Sequence, residues 1–503
     1  MRRIEFRGVR LTLWFLAAMG LVSAATNTPA QAQSESWDAV FIGNSKVGSI
    51  QIRVNPVKDK DRSLVNVLVD YKLALRRGND SVVMAMQYGT IETPEGEVLR
   101  LDTRTQASNQ IIQVRGDVID GKMKLEIING RQKQQEVLTW GPEVKGPYGP
   151  ELSFTRTPMK PGEIRKLKTY LPEYNKIGDV TLTAKNIESL TLGGGAVRDL
   201  LKVEQEVRAM DDKPMPELSQ TFWVDSAGQV LKTYNDNFGG MTAYRTTKEA
   251  ATRAVARADQ FDLINGMVVQ VARKITNPEN SRDILYKVSL TDADPAVFFP
   301  NDRRQTLKAG PEPKTASLTV RTAGPTDGEA GPATVGDEYL RSNPLVTSND
   351  SQVIRLARRA VGTQTDPWAK AQAISKWVAA NIKEKNFETS FAPADEVARN
   401  LQGDCTEHAV LTAAMCRAEG VPSRVVVGLI YATQLGGFGY HMWDEVYVNR
   451  RWVAVDAAFD QSQVDAVHLK LSETSLDGVS PFDTFTAVTR VATKLKIEAI
   501  EVR

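Results

Sequence analysis

The segment from Gly403 to Asp456 constrains this chain most, because it reads residue by residue as a capped helix followed by a hairpin. It opens Gly403-Asp404-Cys405-Thr406-Glu407-His408. Asp404 can cap the helix that follows, and Glu407 stands three residues later, a capping box with Asp in the Ser/Thr role. Cys405 is then the first helical residue. Free N–H groups and the helix dipole favour an anion there, which lowers a thiol's pKa and raises its thiolate fraction. The same N–H groups can hold an oxyanion. The helix continues through apolar Ala409 to Met415 and ends at Glu419-Gly420-Val421-Pro422, with Gly as the stop signal.

Only two cysteines occur, Cys405 and Cys416, so there is no disulfide framework and no CxxC pattern. On one helix their spacing gives about 16 Å of axial rise. A disulfide needs Cα atoms within about 7 Å. Cys416 is therefore read as a buried structural thiol.

Tyr440 to Val448 and Arg451 to Asp456 form two strands around Asn449-Arg450. A two-residue turn sets Val446 against Val453 and Tyr447 against Trp452. Val446, Val448, Val453 and Val455 then share one face, and Trp443, Tyr447 and Trp452 the other. Asp456 falls opposite Trp443, one diagonal step from His441 and on its face. Such neighbours are about 7–8 Å apart at the backbone, within reach of an imidazole–carboxylate hydrogen bond. A three-residue loop would separate them, and Arg450 stands where Gly is preferred.

Cys405, His441 and Asp456 thus suit acyl transfer, with a thiolate nucleophile, a base and an orienting carboxylate. His408, one turn after Cys405, is a rival base with no acid to orient it and is read as supporting, as are Asp404, Glu407 and Trp443. His468 lies in a polar stretch and is read as exposed. A zinc site of Cys405, His408 and His441 fits no common ligand spacing, so no metal and no cofactor are expected.

These blocks, with Arg424-Val425-Val426-Val427-Gly428 between them and Trp452-Val453-Ala454-Val455-Asp456 at the end, resemble the transglutaminase-like superfamily in order and spacing. The resemblance covers roughly residues 337 to 475. It implies an α+β, papain-like core with a catalytic cysteine on a helix packed against an antiparallel sheet. It also implies nucleophile, base and orienter roles for Cys405, His441 and Asp456. The family often places Pro after the Asp, where this chain has Ala457-Ala458. That departure touches the loop and not the chemistry.

The rest of the chain reads as β-rich domains ahead of this core. Residues 33–245 carry strand-like runs such as Leu64 to Tyr71 and Val82 to Tyr88, with turns at Gly78-Asn79-Asp80, Asp120-Gly121 and Asp225 to Gly228. A curved antiparallel sheet or half-barrel is expected. Gly193-Gly194-Gly195 lacks a following Lys-Ser/Thr and is no phosphate loop. Residues 246–323 read as a helical connector over 247–265 and a small β module, with strands at Met267 to Val271, Ile284 to Leu290 and Ala316 to Val320. Residues 324–336 form a Gly/Pro linker, and 337–503 the catalytic domain. In it, helices are expected at Ser351 to Val361, from Pro367 onward, and at Ala394 to Asn400, with Phe485 to Val502 as strands.

Residues 1–32 read as a signal peptide. Arg2, Arg3, Arg7 and Arg10 precede an apolar run from Leu11 to Val22, and Ala30-Gln31-Ala32 is a small-x-small cleavage site, with Ser23-Ala24-Ala25 as an alternative. The run is too short to span a membrane, which takes about 20 apolar residues. Cleavage would remove four arginines and one glutamate and move the net charge from +2 to −1. Neither charge marks a nucleic-acid partner. The expectation is an exported, periplasmic or extracellular cysteine hydrolase, peptidase or acyltransferase. It would act on a peptide or protein amide, with no nucleic-acid partner and no integral membrane segment after cleavage. The alternative is a non-catalytic envelope scaffold that keeps the fold.

Overall fold

The computed structural model describes residues 33–77, 80–107, 110–130, 132–193, 195–210, 212–383, 392–477 and 488–503. The expected signal segment 1–32, the turn residues Gly78 and Asn79, Gly194, and Phe485-Thr486-Ala487 lie outside these residues. Among the described residues no helix is long and apolar enough to cross a membrane.

The N-terminal region is one fifteen-stranded sheet. From one edge at Gln132–Thr139 it steps back through the chain to Ser34–Ile42, which pairs with Met241–Thr246. From there it steps back again to Ile164–Leu171. Neighbours are antiparallel except the two-residue Val144–Lys145, which runs parallel to Ile164–Leu171. Period-two patterning drives it. In Lys122–Asn129 alternate residues Met123, Leu125, Ile127 and Asn129 are buried. Asp120 and Gly121 both take positive φ, 52° and 69°, and close the hairpin between Gln110–Ile119 and Lys122–Asn129.

The sheet curls. Leu101, Val114 and Leu125 share one cluster with Val144 and Tyr170 from its opposite end. The helix Gly149–Arg156 crosses the concave side. Its Leu152 packs on Ile52, Val67 and Val69 of one wall, and its Phe154 on Leu171, Val203 and Phe222 of the other.

The segment 247–265 is less helical than expected, with only Lys248–Thr252 and Leu263–Gly266 as α-helix. Short helices in water need a packed face, and of the first only Ala251 is buried. The strand expected at 267–271 shrinks to Val269–Gln270, which pairs with Gly437 and Phe438 and so belongs to the C-terminal sheet. The small sheet has the order Gln305–Ala309, Thr315–Arg321, Asp283–Leu290, Leu495–Val502. The strand at the C-terminal end therefore completes a sheet begun two hundred residues earlier. Residues 488–491 are helical instead of strand. Val488, Val491 and Ala492 are buried at helical spacing.

One hydrophobic core takes in Ile284, Tyr286 and Leu318 of this small sheet together with Val353, Ile374, Val410 and Val446. It runs across the boundary expected at 324–336. The Gly/Pro stretch is a loop, as its composition says, but a packed one. Gly331 N–H donates to Arg450 O at 2.7 Å, and the Tyr447 hydroxyl donates to Pro332 O.

The helices of the C-terminal part are Ser351–Val361, Pro367–Asn381, Ala394–Asn400 and Cys405–Ala418. Asp350, Asp366 and Asp404 accept backbone N–H groups at three of their starts. They pack with a sheet in the order Val269–Gln270, Gly437–Val448, Ser423–Ala432, His468–Thr474, and Arg451–Val455 pairs with Gly437–Val448. The architecture is α+β, with a β-rich N-terminal part.

Candidate active site

The helix Cys405–Ala418 starts with the expected capping box. Asp404 Oδ1 accepts from Thr406 N–H at 2.8 Å, and Glu407 Oε2 accepts from Asp404 N–H at 3.0 Å. Glu407 Oε1 also accepts from Ala392 N–H at 3.1 Å. Gly403 is required by this geometry. Its φ is +143°, and a Cβ there would come within 2.3 Å of Glu407 Cβ. Burial and the neighbouring Asp404 push the Glu407 carboxyl up to about 8. Cys405 is partly exposed and Cys416 fully buried, and neither forms a disulfide. Burial, then the nearby Asp444, push the Cys416 thiol well above its ordinary range.

The hairpin register is the expected one. Val446 faces Val453 and Tyr447 faces Trp452. Asn449 and Arg450 have φ of 49° and 61°, so the arginine accepts the left-handed conformation that Gly would take more easily. His441 Nε2–H donates to Asp456 Oδ2 at 2.6 Å. With that proton placed by the hydrogen bond, Nδ1 of the neutral ring is the acceptor nitrogen. Trp443 is buried and stacks on the imidazole, with ring centroids 6.0 Å apart. Phe459, half exposed, meets the ring edge-on at 5.1 Å.

His468 is not exposed. It opens the strand His468–Thr474 and is fully buried. Its Nδ1 lies 2.7 Å from Asp465 Oδ1 and its Nε2 3.0 Å from Asp456 Oδ2. Ionised carboxylates only accept, so both ring nitrogens are donors and the ring is an imidazolium. Burial alone would lower its pKa, but the hydrogen bonds to Asp456 and Asp465 outweigh that and raise it. The signal that was missed is the alternation in His468-Leu469-Lys470-Leu471, which marks a strand inside a stretch that looks polar.

Asp456 accepts four hydrogen bonds. Oδ2 takes the two histidines, and Oδ1 takes Ala458 N–H at 2.8 Å and Phe459 N–H at 3.3 Å. Burial pushes this carboxyl up, yet the two histidines hold it well below the usual carboxylate range. Its neighbour Asp444 is buried with neither oxygen hydrogen-bonded, and burial, then the charge of Asp456, push its carboxyl well above the usual range. His441, Asp456 and His468 bring three ligand-type atoms within 4.8 Å of one another, as a metal site would. Here the cluster is closed by its own hydrogen bonds.

Gly428 makes this cluster possible. It pairs with His441 across the sheet, and a Cβ there would meet Leu469 O at 2.1 Å and Trp443 Cζ-ring carbon Cη2 at 2.8 Å. His408 is buried, and its Nδ1 lies 2.6 Å from the Asp404 carbonyl, the fourth-residue partner on its own helix.

Asp404, Cys405, His408, Tyr440, His441 and Phe459 line one end of a cavity of about 630 Å³. The concave face of the fifteen-stranded sheet lines the rest, through residues such as Ile52, Val69 and Leu73. A thiol at a helix start and an imidazole held by Asp456 thus line one cavity.

Residues 354–457 match the transglutaminase-like superfamily. A Haemophilus influenzae protein, named only as uncharacterized, is 28% identical over 96 residues, 18% of this chain and 26% of the relative. The chain thus spans about a quarter of that relative's length. Among solved structures, a candidate cysteine protease from Cytophaga hutchinsonii is 15% identical, over 44% of this chain and 86% of that one, with a TM-score of 0.29. A β-barrel-like protein from Brucella abortus with a domain of unknown function is 10% identical, over 43% and 96%, with a TM-score of 0.33. Scores this low carry no argument about function. The family match is the informative one, and it identifies residues 354–457 as a transglutaminase-like domain in a chain whose N-terminal part is a large antiparallel sheet.

Proposed function

We propose that Cys405, His441 and Asp456 carry out acyl transfer from a peptide-like amide. The reading rests on the 2.6 Å hydrogen bond from His441 to Asp456 in a cavity that also admits Cys405. Nδ1 of His441 takes the thiol proton, and the thiolate attacks the amide carbonyl carbon. The C–N bond breaks as the leaving amine takes the proton from His441, which leaves an acyl-thioester on Cys405. Water, giving its proton to the same nitrogen, then releases the acid and restores the thiol. An amine in place of water would give a new amide. The positive end of the helix dipole at Cys405 would favour the oxyanion. Asp456 fixes the tautomer and stabilises the imidazolium that forms.

The test is direct. The chain is mixed with a p-nitrophenyl ester of a short peptide, quenched in acid and examined by intact mass and peptide mapping. An acyl adduct on Cys405, absent from Cys405→Ala, is expected. An adduct elsewhere, or none, would overturn the reading.

We also propose that the protein is exported, from the basic, apolar and small-residue regions of residues 1–32. Intact mass of protein recovered from the cell envelope should show a chain beginning near Gln33. A chain still carrying Met1 in that fraction would count against cleavage.

A further inference from the structure

The cavity is lined unevenly in charge. Its walls are apolar, with Ile50, Ile52, Val69, Leu73, Val82 and Met84 on one side. Five carboxyl side chains also line it, Asp38, Glu151, Glu173, Glu217 and Asp404, against a single guanidinium, Arg245. That guanidinium is engaged, since Arg245 Nε–H donates to Asp38 Oδ1 at 2.5 Å. The cavity therefore offers little to a polyanion.

Glu151 stands out among the five. It sits on the helix Gly149–Arg156, which crosses the concave side of the sheet between the two apolar walls. Its Oε2 is shut off from solvent and has no hydrogen-bond partner. A buried acceptor left unmade is destabilising, so a ligand donor that meets it is favoured there. Burial, and then the charge of Asp38, push this carboxyl up to about 7. The groups around it are Asp38, Tyr88, Tyr148, Glu173 and Arg245, and the one cation among them is paired with Asp38.

We propose that the cavity receives the acyl half of the substrate, and that this half is an apolar peptide segment carrying an ammonium group that pairs with Glu151. The ammonium can be an N-terminal α-amine or a lysine side chain, which present the same chemistry. The assignment rests on the acyl-transfer reading for which half enters, but the binding itself does not require a reactive thiol.

The experiment is calorimetric titration of full-length Cys405→Ala with four peptides: Leu-Leu-Leu-amide, acetyl-Leu-Leu-Leu-amide, acetyl-Leu-Leu-Lys-amide and succinyl-Leu-Leu-Leu-amide. The free-amine or the lysine peptide should bind about tenfold tighter than the acetylated trileucine, the size of one charge-assisted hydrogen bond. Which of the two does so identifies the source of the ammonium. The succinylated peptide should bind weakest. Glu151→Gln should erase the ammonium preference. Where that variant fails to fold, pH supplies the second reading: the preference should be present above pH 7 and vanish as pH falls toward 5 and Glu151 takes up its proton. Equal binding of all four peptides, tighter binding of the succinylated one, no binding, or an ammonium preference unaltered by both Glu151→Gln and pH would overturn the proposal. Selective binding without an acyl adduct on Cys405 in the wild type would instead sink the acyl-transfer reading alone.

Discussion

His441→Ala is expected to abolish the alkylation of Cys405 at pH 6, where the wild-type chain should still react. An ordinary thiol, with a pKa near 8.5, is almost wholly protonated at that pH. Two local sources favour the anion at Cys405, the positive end of the helix dipole and the His441 imidazole in the same cavity, which carries a full charge once it takes the thiol proton. Removing the imidazole removes the larger, full charge. Cys416 should not react under any of these conditions, because it is buried and its thiol is pushed well above the ordinary range. Asp456→Asn should cut turnover by roughly 10⁴-fold, the loss seen when a catalytic imidazole is held in the wrong tautomer. His408→Ala should do less, since the Nδ1 of His408 is bound to the Asp404 carbonyl. Iodoacetamide labelling between pH 5 and 9, followed by peptide mapping, reads each case. Loss of the low-pH reaction in His408→Ala, with none in His441→Ala, would exchange the two roles.

His468→Phe should lower stability by about 3–5 kcal/mol at pH 5.5, the usual cost of breaking a buried ion pair by removing one partner. The phenylalanine fills the ring's space but leaves Asp456 and Asp465 facing each other without their shared cation. The pH dependence follows from the two shifts. The pKa of His468 is raised above 6.5 in the folded chain, so its contribution is fully present below pH 6.5 and is lost as pH rises through the folded value. The pKa of Asp456 is depressed below 3.8, so its contribution is present above pH 3.8 and lost as pH falls toward the folded value. The wild type should therefore lose stability on both sides of a plateau. The variant should have a lower plateau and a shallower fall on the alkaline side. Urea unfolding followed by circular dichroism at pH 5.5 and pH 8 measures both. A variant matching the wild type at pH 5.5 would mean that His468 carries no charge in the fold.

The capping box at Asp404 and Glu407, the helices from Ser351, Pro367, Ala394 and Cys405, and the register that faces Val446 with Val453 were all legible from sequence. They share one cause. Caps, helical periods and two-residue turns are set by residues within a few positions of one another, so a single chain displays them. The curl of the N-terminal sheet was legible only as a tendency, because many short turns say that strands are antiparallel but not how far the sheet bends.

What tertiary structure decided involves partners far apart in sequence. His468 was read as exposed because its neighbours are polar, yet pairing Ile430 with His468 and Gly428 with His441 carries both rings to the same carboxylate. Leu495–Val502 pairs with Asp283–Leu290, which draws the small sheet into the core of the C-terminal part despite the Gly/Pro loop between them. The cavity is of the same kind. Ile52, Glu151 and Cys405 lie on three separate elements, and nothing local to any of them marks the others as neighbours. Sequence alone singled out Cys405, His441 and Asp456 as candidates, because helix and hairpin geometry are local. Their electrostatic setting and the walls around them depend on which distant apolar faces bury one another, and that choice is made only in the packed chain.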